Sequence, residues 1–291
     1  MTASDPPFSS IAIAGLGLIG GSIALAVRDR WPSTRVFGVD ADSVLAHALG
    51  TEAIERGFPN IGALPGVELL ILAAPVGQNI ALLRDIRLKP DGPGDRRMIV
   101  TDVGGTKRAI VEAARVLPSG VTFVGGHPLG GGERGGFAFA RPDLFAGRPW
   151  IFTPDDEASR GAVARLSEFV SGLGARPAVL TPVDHDRVMA FVSHLPQLAA
   201  SALMDTVGGA ARSDGLRLAG RGLADTTRLA SSPAGVWRDI CLTNADAIGD
   251  ALDCLIQRLT QLREGLDSGD ALDSIFTSAA KWRAELIKER D

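Results

Sequence analysis

The first part of the chain alternates short apolar runs with stretches of helical periodicity. Between residues 11 and 181 the apolar runs are IAIAG, RVFGVD, VELLILAA, RMIVTDV, VTFVGG, PWIFTP and RPAVLT, and stretches such as SVLAHAL, TKRAIVEAARVL and SRGAVARLSEFVSGL separate them. Runs this short and this apolar are typical of strands that are buried on both faces, and helices between them indicate repeated βαβ units. The pattern predicts an α/β domain with a largely parallel sheet.

Beyond Thr181 only helical periodicity remains. The segment TPVDHDRV has the features of a helix start, with Thr181 as the N-cap and Pro182 at the first helical position. Helical patterns follow as RVMAFVSHLPQLAASALMDTV, a Gly-rich break, GVWRDICLTNADAIGDALDCLIQRLTQLREGL and DALDSIFTSAAKWRAELIKER. We therefore predict that residues 1–181 form the α/β domain and that residues 182–291 form an all-α domain.

The predicted helical domain carries apolar residues that need to be covered. Residues at three- and four-residue intervals lie on one face of a helix. Small helical domains often bury such a face by pairing with a second copy of the chain, so we expect a homodimer formed through the helical domain. The clearest example is the set Leu252, Leu255, Ile256, Leu259 and Leu262.

Composition narrows the function classes. The chain has 291 residues, long enough for two domains, and a formal net charge of −4 with scattered basic residues, which argues against nucleic acid or an anionic membrane as partner. Cys241 and Cys254 form no CxxC pair, so neither a disulfide framework nor a metal site is indicated. The N-terminus MTASDPPFSS lacks a secretory pattern, and no apolar run reaches the ~20 residues that span a bilayer. We expect a cytoplasmic protein with a small-molecule substrate.

The first apolar run leads into a glycine fingerprint. Gly15, Gly17 and Gly20 form GxGxxG between a predicted strand and an apolar helix, and Asp40 ends the second run. The glycines of this motif allow a tight turn and a close approach of a pyrophosphate, while the acid binds ribose hydroxyls and repels the 2′-phosphate of NADP. The predicted domain is therefore of the Rossmann type, with NAD as its cofactor. Further expected cofactor contacts are Leu16, Leu18, Ile19, Ala74, Pro75 and Gly104.

Histidine is the usual general base near neutral pH, and the chain has 4 histidines. His127 follows the fifth apolar run in a glycine-rich segment, at the carboxyl edge where parallel sheets bind ligands. His47 lies in a predicted surface helix and His185 in a solvated first turn, so we expect structural or surface roles for both. His127 is the predicted catalytic base.

An ordered set of motifs resembles the prephenate and arogenate dehydrogenase family of tyrosine biosynthesis. The motifs are GLGLIGGS, TDVGGTK, GGHPLGGGE, VSHLP and DTTRLASSPAGVWRDICLTN, and the resemblance runs from about residue 10 to residue 265. It implies NAD-dependent oxidative decarboxylation: a hydride leaves the ring carbon that bears the 4-hydroxyl, a histidine accepts the hydroxyl proton, and the ring carboxylate leaves as carbon dioxide. It also implies that the histidine of the GHP motif, His127, is the base.

The resemblance further implies substrate-binding residues. Arg228 in DTTRLASS is expected to hold a substrate carboxylate, because a guanidinium can bind a carboxylate through two hydrogen bonds. Arg238 is a competing candidate. Three further candidates have structural alternatives, namely an interdomain hydrogen bond, a core contact and a solvated loop position; they are His194, Trp237 and Glu133. Gln197 is another candidate, and its amide can both donate and accept hydrogen bonds.

Some positions depart from the commoner family pattern. Gly105 stands where many members have a serine that can hydrogen-bond the substrate hydroxyl, and Gln197 stands where some prephenate-specific members have histidine. The loop after His127 reads GGGE rather than AGSE or AGTE. These departures leave the reaction class unchanged but keep prephenate, arogenate and 4-amino-4-deoxyprephenate open as substrates.

Two other interpretations stay open at this stage. A related β-hydroxyacid or imine-reducing dehydrogenase commonly has a catalytic lysine in its helical domain, where this chain has only Lys281 and Lys288, both near the terminus. A non-catalytic NAD-binding sensor is the other possibility, and the missing serine is its support.

Overall fold

The computed structural model describes residues 5–86, 98–132 and 134–288. In that part of the chain, strands and helices alternate as far as β8, and helices follow it. The strands are β1 Ser10–Ala14, β2 Arg35–Val39, β3 Arg56–Phe58, β4 Leu69–Leu72, β5 Met98–Asp102, β6 Val121–Pro128, β7 Pro149–Thr153 and β8 Arg176–Val179. The α-helices are α1 Leu18–Arg30, α2 Asp42–Gly50, α3 Val76–Leu83, α4 Arg108–Ala114, α5 Glu157–Gly172, α6 Pro182–Met189, α7 Leu195–Leu216, α8 Arg221–Thr226, α9 Ala234–Thr243, α10 Ala245–Glu264 and α11 Asp270–Lys288.

The strands form one sheet in the order β3-β2-β1-β4-β5-β6-β7-β8. Every neighbouring pair is parallel except β6 and β7. The predicted, largely parallel Rossmann-type sheet is confirmed. The chain leaves β1 toward β2 on one side and returns to β4 on the other, which opens a crevice at the carboxyl ends of β1 and β4. Ligands of such sheets bind in this crevice.

The central strand β1 is buried because its alternate residues pack into two separate cores, whereas the edge strand β8 is exposed along its whole length. Ile11 and Ile13 of β1 pack into one cluster, whereas Ala12 and Ala14 pack into the other. Neither face of β1 therefore needs polar residues, which explains the continuous apolar runs in the sequence. β3 was not predicted, because its three residues RGF carry no apolar run.

The helix start predicted after β8 is confirmed. The Thr181 hydroxyl accepts a hydrogen bond from the backbone N–H of Asp184 at 3.0 Å, and Pro182 is the first residue of α6. A single π-helical turn, Ala190–His194, joins α6 to α7. Pro196 lies near the start of α7 and has no N–H to donate to the preceding turn, which favours a wider turn at this point.

Two predicted helix boundaries differ from the structure. The first part of the predicted Gly-rich break, residues 208–216, belongs to α7, which continues to Leu216 with a kink at Arg212, whose φ is 51°. The rest of the break contains α8 and a short 3₁₀ turn. The pattern predicted as one long helix is divided at Asn244, whose φ of −141° separates α9 from α10.

The chain divides into two compact units after Ala245. The first unit contains the sheet and α1–α9. The second contains α11 and nearly all of α10, and the side chains of Ile256, Leu259, Phe276 and Trp282 are more than half exposed there. The predicted apolar face of α10 is thus only partly covered within one chain. The domain boundary after Thr181 stays a prediction. Within the described residues, no helix combines the length and apolar character needed to cross a membrane.

Candidate active site

The glycine loop, residues 15–20, lies at the carboxyl end of β1. Gly15 has a φ of +98°, and a Cβ there would lie 2.6 Å from the carbonyl carbon of Ala73, so only glycine fits. A Cβ at Gly20 would lie 1.9 Å from the carbonyl oxygen of Gly15. At Gly17, by contrast, no described atom lies within 4 Å of the added Cβ. Gly17 is also the N-cap of α1 and supplies no capping side chain, so the loop presents backbone to open space, as a pyrophosphate site requires.

Asp40 lies directly after β2, beside this loop. Its carboxylate oxygens accept the backbone N–H of Leu16 at 2.6 Å and that of Ala41 at 2.7 Å. An ionised carboxylate has further acceptor positions on both oxygens, so Asp40 can still accept ribose hydroxyls. The Leu16 side chain is fully buried, and those of Leu18 and Ile19 pack against the core. These three residues therefore offer mainly their backbone to a ligand.

The other predicted cofactor contacts follow β4 and β5. The N–H of Ala74 donates to the Asn79 side chain at 3.1 Å, and Pro75 is the exposed N-cap of α3. Gly104 is buried, and its N–H donates to Asp102 Oδ2 at 2.7 Å. The N–H of Gly104 is thus used within the protein. The assignment of these positions to the cofactor stays a prediction.

A buried ion pair lies under the loop that follows β5. Asp102 accepts the Lys107 ammonium, and neither side chain is exposed. Asp102 also accepts the N–H of Gly126 at 3.0 Å, and Lys107 donates to the Gly126 carbonyl at 2.7 Å. Burial lowers the pKa of Lys107, against the opposing effect of Asp102. Because a buried charge needs a partner, this pair locks TDVGGTK onto β6 just before His127. Sequence reasoning noted the motif without assigning it this role.

His127 lies at the carboxyl end of β6 and is half-buried. Its Nδ1 lies 2.8 Å from Nε2 of His185, and Nδ1 of His185 lies 2.8 Å from Oδ1 of Asp186. The prediction that His185 occupies a solvated turn is wrong, since both His185 and Asp186 are fully buried. The buried residues of α6 are Pro182, His185, Asp186 and Met189, which lie on one helix face. Because two of the four are polar, no apolar periodicity in the sequence marks this face as buried.

Asp186 is held firmly at the start of α4. Its Oδ1 accepts the N–H of Lys107 at 2.7 Å, and its Oδ2 accepts the N–H of Arg108 at 2.9 Å and the Arg108 side chain at 3.3 Å. A carboxylate at a helix N-terminus is stabilised by the unpaired N–H groups there. Burial raises the pKa of Asp186, but hydrogen bonds from His185, Arg108 and Lys107 outweigh it and hold the pKa below its ordinary value. Asp186 is therefore ionised.

The histidines around this carboxylate are neutral at neutral pH. Burial, with added repulsion from His185, Lys107 and His194, lowers the pKa of His127 well below its ordinary value. Burial also lowers the pKa of His185, which Asp186 partly offsets, and brings that of His194 to about 4. A neutral imidazole can accept a proton, so His127 has the protonation state that a general base needs.

His194 belongs to an interior network. It is 1% exposed, its Nδ1 lies 3.4 Å from Nδ2 of Asn244, and its ring meets Trp237 edge to face at 6.1 Å between centroids. Asn244 also donates to the Asp186 carbonyl at 2.9 Å and accepts from Arg108 at 2.8 Å. This placement favours the hydrogen-bonded structural alternative for His194. Trp237 is half-buried beside it.

Gln197 contacts the segment that carries Arg228. Its Nε2 donates to the Leu229 carbonyl at 2.7 Å, and its Oε1 accepts from the Ser232 hydroxyl at 3.1 Å. Arg228 is the first residue of the short 3₁₀ turn Arg228–Ser231, which contains Leu229 and directly precedes Ser232. Arg228 is exposed. Gln197 therefore ties this turn to α7. Glu133 lies outside the described residues. Among the residues that are described, no group of three or more His, Cys, Asp or Glu side chains is placed to hold a metal ion.

The comparisons with known proteins show the family of the chain. Residues 23–179 match the family profile described as "Prephenate dehydrogenase, nucleotide-binding domain", and residues 181–277 match "Prephenate dehydrogenase, dimerization domain". The chain belongs to the prephenate dehydrogenase family.

Individual members of the family are similar over most of the chain. A prephenate dehydrogenase of Bacillus subtilis is 35% identical and covers 94% of this chain and 75% of its own length. A cyclohexadienyl dehydrogenase of Zymomonas mobilis is 32% identical and covers 98% of both chains. The solved prephenate dehydrogenase of A. aeolicus, in complex with hydroxyphenyl propionate and NAD+, has a TM-score of 0.86 at 25% identity and covers 98% of this chain and 100% of its own.

The structure shows how much space surrounds Gly105, the position at which we expect a serine in many members of the family. A Cβ at Gly105 would meet the Ile240 side chain at 3.5 Å, which is ordinary van der Waals contact. A serine would therefore fit without rearrangement. The neighbouring Thr106 cannot replace it, because Thr106 is buried and its hydroxyl lies 2.7 Å from that of Thr243.

Proposed function

We propose that this dehydrogenase catalyses the NAD-dependent oxidative decarboxylation of prephenate or arogenate in tyrosine biosynthesis, with His127 as the general base. The observation that carries the proposal is the state of His127. It is neutral because of its lowered pKa, half-buried, and located at the carboxyl edge of the sheet, where a ligand of this fold binds.

NAD is the proposed cofactor, and its nicotinamide would accept the hydride. Support comes from the open backbone at Gly17, the position of Asp40 beside the glycine loop, and the NAD+ bound in the A. aeolicus relative. The start of α1 would bind the pyrophosphate, and the Asp40 carboxylate would accept the ribose hydroxyls. The negative charge of Asp40 disfavours the additional phosphate of NADP.

His127 supplies the proton transfer. As the hydride leaves the ring carbon that bears the hydroxyl, His127 accepts the hydroxyl proton and the oxygen becomes a carbonyl. The bond from the ring to its carboxylate then breaks, carbon dioxide leaves, and the electron pair enters the ring, which becomes aromatic when the carbonyl regains a proton. Arg228 is proposed to hold a substrate carboxylate, with Gln197 steadying its turn.

The choice of substrate depends on Gly105. The relatives include enzymes named for prephenate and for cyclohexadienyl substrates in general. Position 105 lacks the hydroxyl expected near the substrate's 4-hydroxyl, an observation that favours a second candidate, 4-amino-4-deoxyprephenate, whose ring amine would not need that contact. His194, Trp237 and Glu133 remain candidate contributors to the substrate pocket.

We propose further that the protein is a homodimer. The match to the family's dimerization domain and the exposed apolar side chains of α10 and α11 support this. Large apolar side chains exposed on neighbouring helices are typical of subunit interfaces.

Steady-state kinetics test the proposed function. The purified protein is incubated with prephenate, arogenate or the 4-amino compound, and with NAD or NADP, while the absorbance of the reduced cofactor is followed. We expect turnover with NAD on at least one of these compounds. Tight NAD binding without turnover on any of them would instead favour a non-catalytic sensor.

A further inference from the structure

A line of three side chains leads from the proposed base into the protein interior. We call His127, His185 and Asp186 the histidine relay. The ring nitrogens of the two histidines lie 2.8 Å apart, and His185 lies 2.8 Å from the Asp186 carboxylate. We infer that His185 and Asp186 are positioning residues that hold His127 with its proton on Nδ1, so that Nε2 carries the lone pair that meets the substrate. This inference rests on the proposed function.

The protonation pattern follows from donor and acceptor rules, starting at Asp186. An ionised carboxylate only accepts hydrogen bonds, so the short contact requires a proton on Nδ1 of His185. A neutral His185 then has a lone pair on Nε2, which must accept a proton from Nδ1 of His127. Neutral His127 is left with its lone pair on Nε2. The Asp186 carboxylate thus determines the tautomer of His127 through the hydrogen bonds of His185.

The histidine relay can also stabilise the positive charge that forms on His127 during the reaction. When Nε2 of His127 gains the substrate proton, the Nδ1 proton can shift along its hydrogen bond to His185, and the cation then lies beside Asp186. The other charged groups facing the relay are already paired, since Lys107 binds Asp102 and Arg108 binds Asp186. His194, with a pKa of about 4, stays neutral. Asp186 is the carboxylate in direct contact with the pair of histidines, through the oxygen that does not bind the Arg108 side chain.

Asp186 is suited to this role because it has little freedom to move. Both of its oxygens accept backbone N–H groups at the start of α4. Its partner Arg108 is in turn bound by Asn244. A carboxylate fixed in this way orients both imidazole rings before substrate arrives.

The tautomer can be measured directly by NMR of the protein labelled with ¹⁵N at histidine. With only 4 histidines in the chain, single variants are sufficient to assign the ring signals. We expect His127 and His185 both to carry their proton on Nδ1 at neutral pH. A proton on Nε2 of His127 would overturn the inference. This measurement needs no substrate, so its outcome is independent of whether the proposed function holds.

Variants test the consequence for catalysis. In Asp186→Asn the amide can donate to His185 and reverse the tautomers, so we expect kcat to fall by about 10²-fold or more with little change in KM. His185→Gln keeps an oxygen that can accept from His127 but cannot carry the proton onward, so we expect a smaller loss. The acid limb of kcat/KM should move to lower pH in Asp186→Asn, because a negative charge near the histidines is lost.

Matched controls separate positioning from general damage. Asp184→Asn removes the same charge from the exposed side of α6, and His47→Gln removes an exposed histidine of α2. Both should retain wild-type kinetics, and NAD affinity should be unchanged in all four variants. Wild-type kcat and pH profile in both relay variants would overturn the inference. If Asp186→Asn does not fold, the NMR result on the wild-type protein decides alone.

Discussion

Single residues determine the chemistry proposed for this site. Burial lowers the pKa of His127, which lies at the carboxyl edge of the sheet. Arg228 is exposed, on a turn to which Gln197 is hydrogen-bonded. These different surroundings are consistent with the different functions proposed for the two side chains. A base acts in the transition state, while an arginine that binds a carboxylate acts already in the ground state.

The difference predicts separate kinetic effects. His127→Asn should lower kcat by about 10²- to 10⁴-fold with KM nearly unchanged, because it removes a proton acceptor. Arg228→Ala should mainly raise KM, by about tenfold or more, because it removes a charged hydrogen-bonding group. Steady-state kinetics of both variants, with Arg238→Ala for comparison, check this. A raised KM in the His127 variant and a lowered kcat in the Arg228 variant would mean that the two roles are exchanged.

Gly105 offers a second test at the residue scale. The space beside Ile240 accepts a Cβ, so Gly105→Ser should fold normally and restore a hydroxyl. We expect kcat/KM on a substrate with a 4-hydroxyl to rise up to about tenfold, the value of one hydrogen bond, with no rise on the 4-amino compound. Gly105→Ala is the matched control, since it adds the carbon without the hydroxyl. An equal effect of serine and alanine would show that the hydroxyl makes no contact.

At this scale the sequence revealed only part of the site. His127 could be found from its position after an apolar run, because the carboxyl ends of parallel strands share one edge. His185 and Asp186 were missed because they flank a helix start, where polar residues are usually solvated. Asp186 contacts Lys107 and Arg108, which lie 79 and 78 positions earlier in the chain, and His185 contacts His127, 58 positions earlier. No local pattern reveals contacts of this kind.

Among the elements, the strand–loop–helix unit around the glycine loop combines two different constraints. Gly20 is required by the protein itself, since its Cβ would collide with backbone. Gly17 faces open space, so the protein itself does not require a glycine there, and we propose that the bound cofactor does. The sequence motif alone could not separate these two reasons.

This contrast predicts opposite behaviour for two similar variants. Gly20→Ala should lower the thermal midpoint of unfolding, because a Cβ 1.9 Å from the Gly15 oxygen forces the loop apart. Gly17→Ala should keep the wild-type midpoint but weaken NAD binding by about tenfold or more, since the added carbon occupies the pyrophosphate approach. Thermal unfolding and calorimetric NAD titration of both variants test this. Unchanged NAD affinity in a folded Gly17→Ala protein would contradict the proposed binding mode.

The element order was predictable, whereas some boundaries were not. Apolar runs marked seven of the strands, but β3 is too short to form one. The break between α9 and α10 at Asn244 was missed because the tract DICLTNADAIGD contains no proline and its glycine lies beyond the break. Asn244 accepts a hydrogen bond from Arg108 and donates one to the Asp186 carbonyl, and these tertiary contacts favour the break.

At the scale of the whole molecule, the buried histidines link stability to pH. The folded-state pKa of His194 is about 4, against an ordinary value of 6.5. The folded state therefore binds a proton less well than the unfolded chain. The contribution of neutral His194 to stability is complete above about pH 6.5 and is lost as pH falls toward about 4. The lowered pKa values of His127 and His185 act in the same direction.

We therefore predict that the free energy of unfolding falls between about pH 6.5 and 4, by about 1.4 kcal/mol per pH unit for each histidine that titrates only in the unfolded state. Urea denaturation at several pH values measures the slope. His194→Gln should make the slope shallower, whereas His47→Gln, on the surface, should not. A flat profile in the wild-type protein over this range would contradict the burial of neutral histidines.

The central claim is that this chain oxidises a cyclohexadienyl acid with NAD and uses His127 as the base. The most direct measurement is the rate of NADH formation from prephenate and from arogenate, by the wild-type protein and by His127→Asn at equal NAD saturation. We predict turnover of at least one of the two compounds by the wild-type protein and a loss of about 10²-fold or more in the variant. Wild-type rates in the variant would contradict the role of His127, and no NADH from either compound would contradict the activity itself.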